Sequence, residues 1–291
     1  MTYLEKFKTA TVEQEENFYL NFPYQLEMAC FTHDVYPFKV FPQKGLCNLS
    51  FAPITIFYGS NGSGKSTLLN VIAQKLKLSR SAPFNNTPYF EDYLKLCNYE
   101  THLGRSIPKE SKLIASDDVF DFLLDVRAIN EGINNRREKI FEEYRYKREH
   151  GFSLSSLEDY SELRSYNQAK SKTKSQYTAA KLPKDLNGKS NGESAVIFFT
   201  QQIKENALYL LDEPENSLSP KLVLELKQFL EDSARFFSCQ FIISTHSPFL
   251  LSLKDARIYD LDSNPVSVKK WTELENVRVY KDFFDKHSLE F

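Results

Sequence analysis

The stretch Gly59, Ser60, Asn61, Gly62, Ser63, Gly64, Lys65, Ser66 and Thr67 constrains this chain more than any other. It follows the apolar run Ile54 to Tyr58 and precedes the helix-like Leu68 to Ala73, so a G-x-x-x-x-G-K-[ST] pattern lies between a strand and a helix. The glycines let the backbone curl until successive N–H groups point at one anion, and the following helix aims its unpaired N–H groups at the same place. A phosphate chain fits there. Lys65 would neutralise the β- and γ-phosphates, and the Ser66 hydroxyl would ligate Mg²⁺, a hard cation that prefers oxygen.

Two later apolar runs supply further groups. Ala207 to Leu211 reads as a buried strand ending in Asp212 and Glu213. Asp212 would hold Mg²⁺ through water, and Glu213 stands where it would orient or deprotonate the water that attacks the γ-phosphate. Glu215 would cap the helix that Ser219 and Pro220 begin, with the proline in the tolerated first turn. Gln240 to Thr245 gives another buried strand, and His246 at its C-terminal end suits a γ-phosphate contact, since ligands bind at that edge of parallel α/β sheets. Ser190, Asn191, Gly192 and Glu193 precede the helical Ala195 to Ile203, and Ser190, Gly192 and the exposed helix N-terminus make a second anion site, one that a single chain does not easily fold onto its own loop.

Elsewhere the pattern is coarser. Phe22 to Phe31 and Phe38 to Phe41 alternate like strands and would build a small antiparallel sheet. Tyr36 or Phe38 there either stacks on adenine or belongs to the core. Residues 79–107, punctuated by prolines and Gly104, read as irregular surface structure. Apolar residues then recur with helical period from Asp117 to His150, capped by Asp117 or Asp118 and with Gly132 as the expected break. A second helix is expected near Ser156 to Tyr166. Residues 134–189 carry 13 Lys+Arg against 8 Asp+Glu, a local +5 in a chain of net charge −2. That segment is either a nucleic-acid contact or a solvated face.

The order of phosphate loop, serine-glycine signature, Asp-Glu after an apolar strand and switch histidine resembles the ATP-binding-cassette (ABC) ATPases. The resemblance covers roughly residues 35–75 and 186–262. Within that superfamily, Asp212 to Pro220 and Ser244 to Leu251 resemble the RecF, SMC and OLD-like branch, often described as predicted AAA-family ATPases. It implies an α/β ABC ATPase head with an N-terminal antiparallel sheet: one domain over 1–291 with a mainly helical insertion at 80–185. It further implies Mg-dependent hydrolysis of ATP to ADP and phosphate by two chains packed head to tail. Ser190, Asn191, Gly192 and Glu193 of one copy would close over the ATP held by Lys65 of the other, with Glu213 as base and His246 sensing the γ-phosphate.

Two departures stand out. The family signature Leu-Ser-Gly-Gly-Gln appears here as Lys189 to Glu193, with a carboxylate where a neutral amide is expected. The family's mid-domain glutamine is missing, since no glutamine occurs between Gln74 and Gln168; Asp117 or Asp118, after the strand-like Lys112 to Ala115, would take its place. That loss disfavours a transporter subunit, whose glutamine loop couples ATP to the membrane partner. The branch resemblance and the basic segment point to an accessory ATPase in DNA maintenance or phage defence. The alternatives are a slow nucleotide-dependent switch recruiting a protein partner through the insertion, and a transporter's nucleotide-binding subunit.

Composition bounds the setting. No apolar stretch approaches the length needed to span a bilayer, and the first residues lack the apolar run of a signal peptide, so a cytoplasmic protein is expected. Cys30, Cys47, Cys97 and Cys239 are scattered without a C-x-x-C pair, which fits reduced packing residues better than zinc or disulfides.

Overall fold

The computed structural model describes residues 2–20, 35–150, 160–171, 173, 177, 191–216 and 218–290. The chain divides into two compact units, residues 1–119 with 191–291, and residues 120–190.

The first unit is built on a mixed sheet of order β5-β6-β7-β3-β8-β9: Lys112–Ala115 (β5), Leu208–Asp212 (β6), Gln240–Ser244 (β7), Ile54–Tyr58 (β3), Arg257–Asp260 (β8) and Ser267–Lys269 (β9). β5 through β8 run parallel and β9 closes the edge antiparallel. All residues of β3 and β7 are buried, the reason these strands appear in the sequence as unbroken apolar runs rather than alternations. Register decides where function sits. Asp212 pairs with Ser244, Phe57 with Ser244 and Tyr58 with Asp260, so four strands end together and deliver their following loops to one edge.

Helices cover this sheet. Lys65–Lys75 (α2) buries Leu68, Leu69, Val71 and Ile72. Asn191–Gln202 (α6) and Pro220–Phe236 (α7) follow later in the chain. In α7, Val223, Leu226, Leu230 and Ala234 recur at helical spacing and are buried, while Ser219 at the N-cap and Pro220 in the first turn set where it begins. The short Pro248–Leu251 (α8) and Glu275–Lys286 (α9) complete this part of the chain.

The antiparallel sheet is present but uses other residues than the sequence suggests. Its order is β2-β1-β4, from Leu4–Lys8 (β1), Asn48–Ser50 (β2) and Asn98–Thr101 (β4). Gln240 ties it to the parallel sheet: its side-chain carbonyl accepts from the N–H groups of Tyr3 (2.7 Å) and Leu4 (2.9 Å), and its amide donates to the carbonyls of Leu4 (2.9 Å) and Ala52 (3.2 Å). Val12–Leu20 (α1) follows β1. Phe38 to Phe41 are not a strand. Lys39 has φ +65°, and Pro42, which lacks an N–H for a ladder, opens a 3₁₀ turn. The expected strand at Phe22 to Phe31 lies outside the described residues.

Residues 79–107 are more ordered than their prolines suggest. Phe90–Leu96 (α3) buries Phe90, Tyr93 and Leu94, with Glu91 and Asp92 in its first turn and Lys95 in its last, matching the helix dipole. A helix of this length is too short to show a period in sequence. Ser116–Glu149 (α4) carries the chain into the second unit and runs on through Gly132 without the expected break, a cost of about 1 kcal/mol that a helix this long absorbs.

In the second unit, Ile140, Tyr144, Ala169 and Tyr177 form a small core between α4 and Tyr160–Ser171 (α5). Lys147 pairs with Glu143 at 2.6 Å and donates to Ser165 Oγ at 3.0 Å. Among the described residues no helix is long and apolar enough to cross a membrane, and Cys47, Cys97 and Cys239 are free thiols.

Candidate functional site

The phosphate loop lies between β3 and α2, and its shape depends on glycine. A Cβ at Gly59 would sit 2.5 Å from Ser63 Oγ and 2.8 Å from Ser63 Cβ, and Gly64 adopts φ +97°. Two side chains from elsewhere brace the loop. Asp262, just past β8, accepts from the Ser60 N–H (2.7 Å) and Ser60 Oγ (2.9 Å), while Lys44 donates to the carbonyls of Ser63 (2.7 Å) and Leu261 (3.0 Å). Asn61 and Gly62 form the exposed tip, and Thr67 continues into α2. Ser63 Oγ is buried with no hydrogen-bond partner among the described residues, an orphan polar atom inside a ring of backbone.

Lys65 is buried at 5% exposure. Its ammonium donates to the carbonyls of Gly59 (2.9 Å) and Ser60 (3.1 Å) and lies 3.6 Å from Glu213 Oε1. A cation folded back on its own loop beside a carboxylate is placed to exchange those partners for phosphate oxygens.

Ser66 Oγ donates to Asp212 Oδ1 at 3.0 Å, and Ser244 Oγ donates to the same oxygen. Asp212 Oδ2 accepts no hydrogen bond among the described residues. Burial pushes the Asp212 carboxyl above the usual carboxylate range, against the hydrogen bonds from Ser244 and Ser66 that draw it down. Two hard oxygen donors together, one with a free lone-pair face, suit Mg²⁺.

Glu213 adopts φ +48°, an uncommon conformation for a residue with a side chain. Its N–H donates to Ser244 O (3.0 Å) and Ser244 Oγ (3.1 Å), holding the β6–β7 junction, and its Oε2 accepts from Asn216 Nδ2 at 3.2 Å. Half-exposed His246 places Nδ1 3.9 Å from Glu213 Oε1 and 3.8 Å from Glu215 Oε1. Lys65, Ser66, Asp212, Glu213 and His246 are thus gathered at one sheet edge.

Other expectations fare differently. Glu215 does not cap α7. Its Oε1 accepts from Thr245 Oγ1 (2.5 Å) and from the N–H groups of His246 (3.1 Å) and Ser247 (3.2 Å), because the turn after β6 directs it across to the end of β7. Phe38 is a core residue, stacked on Phe18 at 4.7 Å and edge-on to Tyr93 at 5.0 Å, and is not available to adenine. Asp118 accepts from the Ala115 N–H at 2.8 Å at the start of α4. α6 begins at Asn191, so Asn191, Gly192 and Glu193 occupy its first turn, while Ser190 lies outside the described residues. Lys44, Asp262 and Asn276 escape sequence reading because their partners are distant in the chain. Ser244, the polar last residue of an apolar strand, carries a local signal that was there to be read.

The P-loop, the mixed sheet and the carboxylates at its edge define a nucleoside-triphosphate hydrolase. The family model described as "ABC transporter" matches residues 47–216, more than half of the chain, and the chain belongs to that family, the ABC-type P-loop ATPases. A second model, described as "AAA domain, putative AbiEii toxin, Type IV TA system", matches residues 185–252. The Tungstate uptake system ATP-binding protein TupC of Campylobacter jejuni is 25% identical over 253 residues, covering 81% of this chain and 66% of the relative, so this chain spans just under two thirds of its length. Among solved structures, the Smc head domain with an extended coiled coil from Pyrococcus furiosus, bound to the C-terminal domain of ScpA, has a TM-score of 0.42 at 16% identity, covering 97% of this chain and 100% of that one. The SMC head domain from Thermotoga maritima has a TM-score of 0.42 at 14% identity, covering 92% and 98%.

Proposed function

We propose that ATP is hydrolysed at a composite site formed when two copies pack head to tail in a nucleotide-gated homodimer, and that the protein is a cytoplasmic accessory ATPase in DNA maintenance or phage defence. The observation that carries the reading is the convergence of Lys65, Ser66, Asp212, Glu213 and His246 on one edge. These are the groups the reaction needs from the chain that holds the nucleotide.

Lys65 moves from the Gly59 and Ser60 carbonyls to the β- and γ-phosphate oxygens. Ser66 Oγ and the free oxygen of Asp212 would hold Mg²⁺, which supplies positive charge against the phosphates when bound. Glu213 orients a water and takes its proton as the water oxygen bonds to the γ-phosphorus. The bond from that phosphorus to the bridging oxygen breaks, and ADP leaves with the electron pair. His246 donates to a γ-phosphate oxygen. By the family resemblance, Ser190, Asn191, Gly192 and Glu193 come from the second copy. The same reading takes 1–291 as one ATPase domain with 80–185 inserted in it.

The AAA-domain match over residues 185–252 and the basic segment at 134–189 support the role in DNA maintenance or defence. The TupC relative favours a second reading, a transporter's nucleotide-binding subunit, against which stands the missing glutamine between Gln74 and Gln168. A nucleotide-dependent switch that recruits a protein partner is the third.

Turnover measured against protein concentration, with and without double-stranded DNA at low salt, separates them. A rate per chain that rises with concentration and with DNA supports the proposal; DNA-insensitive, slow turnover with ATP-stabilised dimers supports the switch; a stable complex with a membrane protein supports the transporter reading. Glu213→Gln should accumulate an ATP-bound dimer, and a variant that stays monomeric in saturating ATP and Mg²⁺ refutes the composite site.

A further inference from the structure

The backbone of His246 is held at both of its polar groups by side chains from different parts of the fold. Its N–H donates to Glu215 Oε1 at 3.1 Å, and its carbonyl accepts from Asn276 Nδ2 at 2.8 Å. Glu215 stands two residues past Glu213, on the turn after β6. Asn276 is in the first turn of α9, and its own N–H donates to Tyr58 Oη (3.2 Å) at the end of β3, the residue before the phosphate loop.

The Glu215 end of this clamp is built with care for one oxygen. Oε1 receives three donors, Thr245 Oγ1 at 2.5 Å and the N–H groups of His246 and Ser247 at 3.1 and 3.2 Å, while Oε2 is buried with no partner among the described residues. Thr245 Oγ1 in turn accepts from the Ser247 N–H at 3.0 Å, closing a ring around the histidine's main chain. Two of the three donors are the N–H groups of consecutive peptides, so one oxygen fixes the peptide planes on either side of residue 246. The imidazole is left half-exposed and free to turn only about its side-chain bonds, with Nδ1 within 4 Å of both Glu213 and Glu215.

We propose that Glu215 and Asn276 are positioning residues for hydrolysis: together they hold the His246 main chain so that its imidazole faces the reacting phosphate, and they make α9 part of the catalytic apparatus. This rests on the reading that His246 acts in hydrolysis. Both residues act through the His246 main chain, to which their side chains are bonded. A change in α9 therefore reaches the reacting centre through Asn276, by its amide on the His246 carbonyl and its N–H on Tyr58 Oη.

The test is steady-state turnover of the full chain with ATP and Mg²⁺ for Glu215→Gln and Asn276→Ala, each alone and combined with His246→Ala, together with hydrogen exchange of the segment from Thr245 to Ser247. His246→Ala keeps the backbone groups that the clamp grips but removes what the clamp aims. Each single variant should lower kcat about tenfold while KM for ATP stays within about twofold, the signature of an interaction that matters in the transition state. In the His246→Ala chain neither should lower kcat further, and exchange at residues 246 and 247 should speed up in Glu215→Gln. An equal fold-loss with and without His246, or faster exchange with unchanged kcat, overturns the proposal alone. Full turnover in His246→Ala overturns the histidine's role and this inference with it.

Discussion

Ser66 Oγ donates to Asp212 Oδ1 across 3.0 Å, joining residues 146 apart in the chain. The pair exists because β3 and β6 both flank β7 and stop at the same level, so the helix after one strand meets the carboxylate ending the other. The arrangement makes Asp212 a charge held out of water, and its behaviour on mutation follows from that.

Burial raises the proton affinity of Asp212 in the folded chain above that in the unfolded chain. Its contribution therefore favours folding below the unfolded carboxylate range and is lost as pH rises through the elevated folded value. Asp212→Asn removes the ionisation and keeps an acceptor for Ser66 and Ser244. In thermal melts without nucleotide the variant should be more stable than the parent at about pH 8, the gain shrinking towards about pH 5, while its ATP turnover is lost. A variant no more stable at the alkaline end contradicts the burial argument.

Ser244 is wholly buried, donates to Asp212 and accepts from the Glu213 N–H. Ser244→Ala leaves the carboxylate with one donor fewer and should cost about 1–3 kcal/mol in denaturant unfolding. Turnover should also need more Mg²⁺ to reach half-maximum, as read from a magnesium titration. Unchanged magnesium dependence would separate Ser244 from the metal site.

Lys65 both closes the loop, through Gly59 and Ser60, and faces Glu213. Lys65→Ala should weaken ATP binding by about 10- to 100-fold, the worth of a charge-assisted contact to phosphate. Equilibrium titration with ATP checks it, and an unchanged affinity removes the phosphate-loop assignment.

For Glu213, general-base loss predicts a fall in turnover of about 10²- to 10⁴-fold in Glu213→Gln with ATP affinity retained. Single-turnover kinetics separate this from slow product release. A loss confined to KM would make Glu213 a binding residue.

The elements that sequence reading finds are those whose burial leaves an unbroken signature. β3, β6 and β7 are covered on both faces and ended by Gly59, Asp212 and Thr245, so apolar run and polar stop mark them plainly. β1 fails that test: in Leu4–Lys8 only Leu4 and Phe7 are buried, which is neither alternation nor a run. The site divides the same way. The loop and the Asp212-Glu213 pair are contiguous in sequence and legible there. Glu215, by contrast, serves the end of another strand, and nothing near residue 215 announces Thr245, His246 and Ser247 as its partners.

Gln240 also shapes how the chain reaches this state. The N–H groups of Tyr3 and Leu4 are satisfied by a carboxamide 237 and 236 residues downstream. Strand β1 therefore completes its bonding only when Gln240, which lies within the last third of the chain, is in place. Contacts of such separation form late and slow folding. Until then β1 has its partners β2 and β4, but the N–H groups of Tyr3 and Leu4 lack the acceptor they have in the fold.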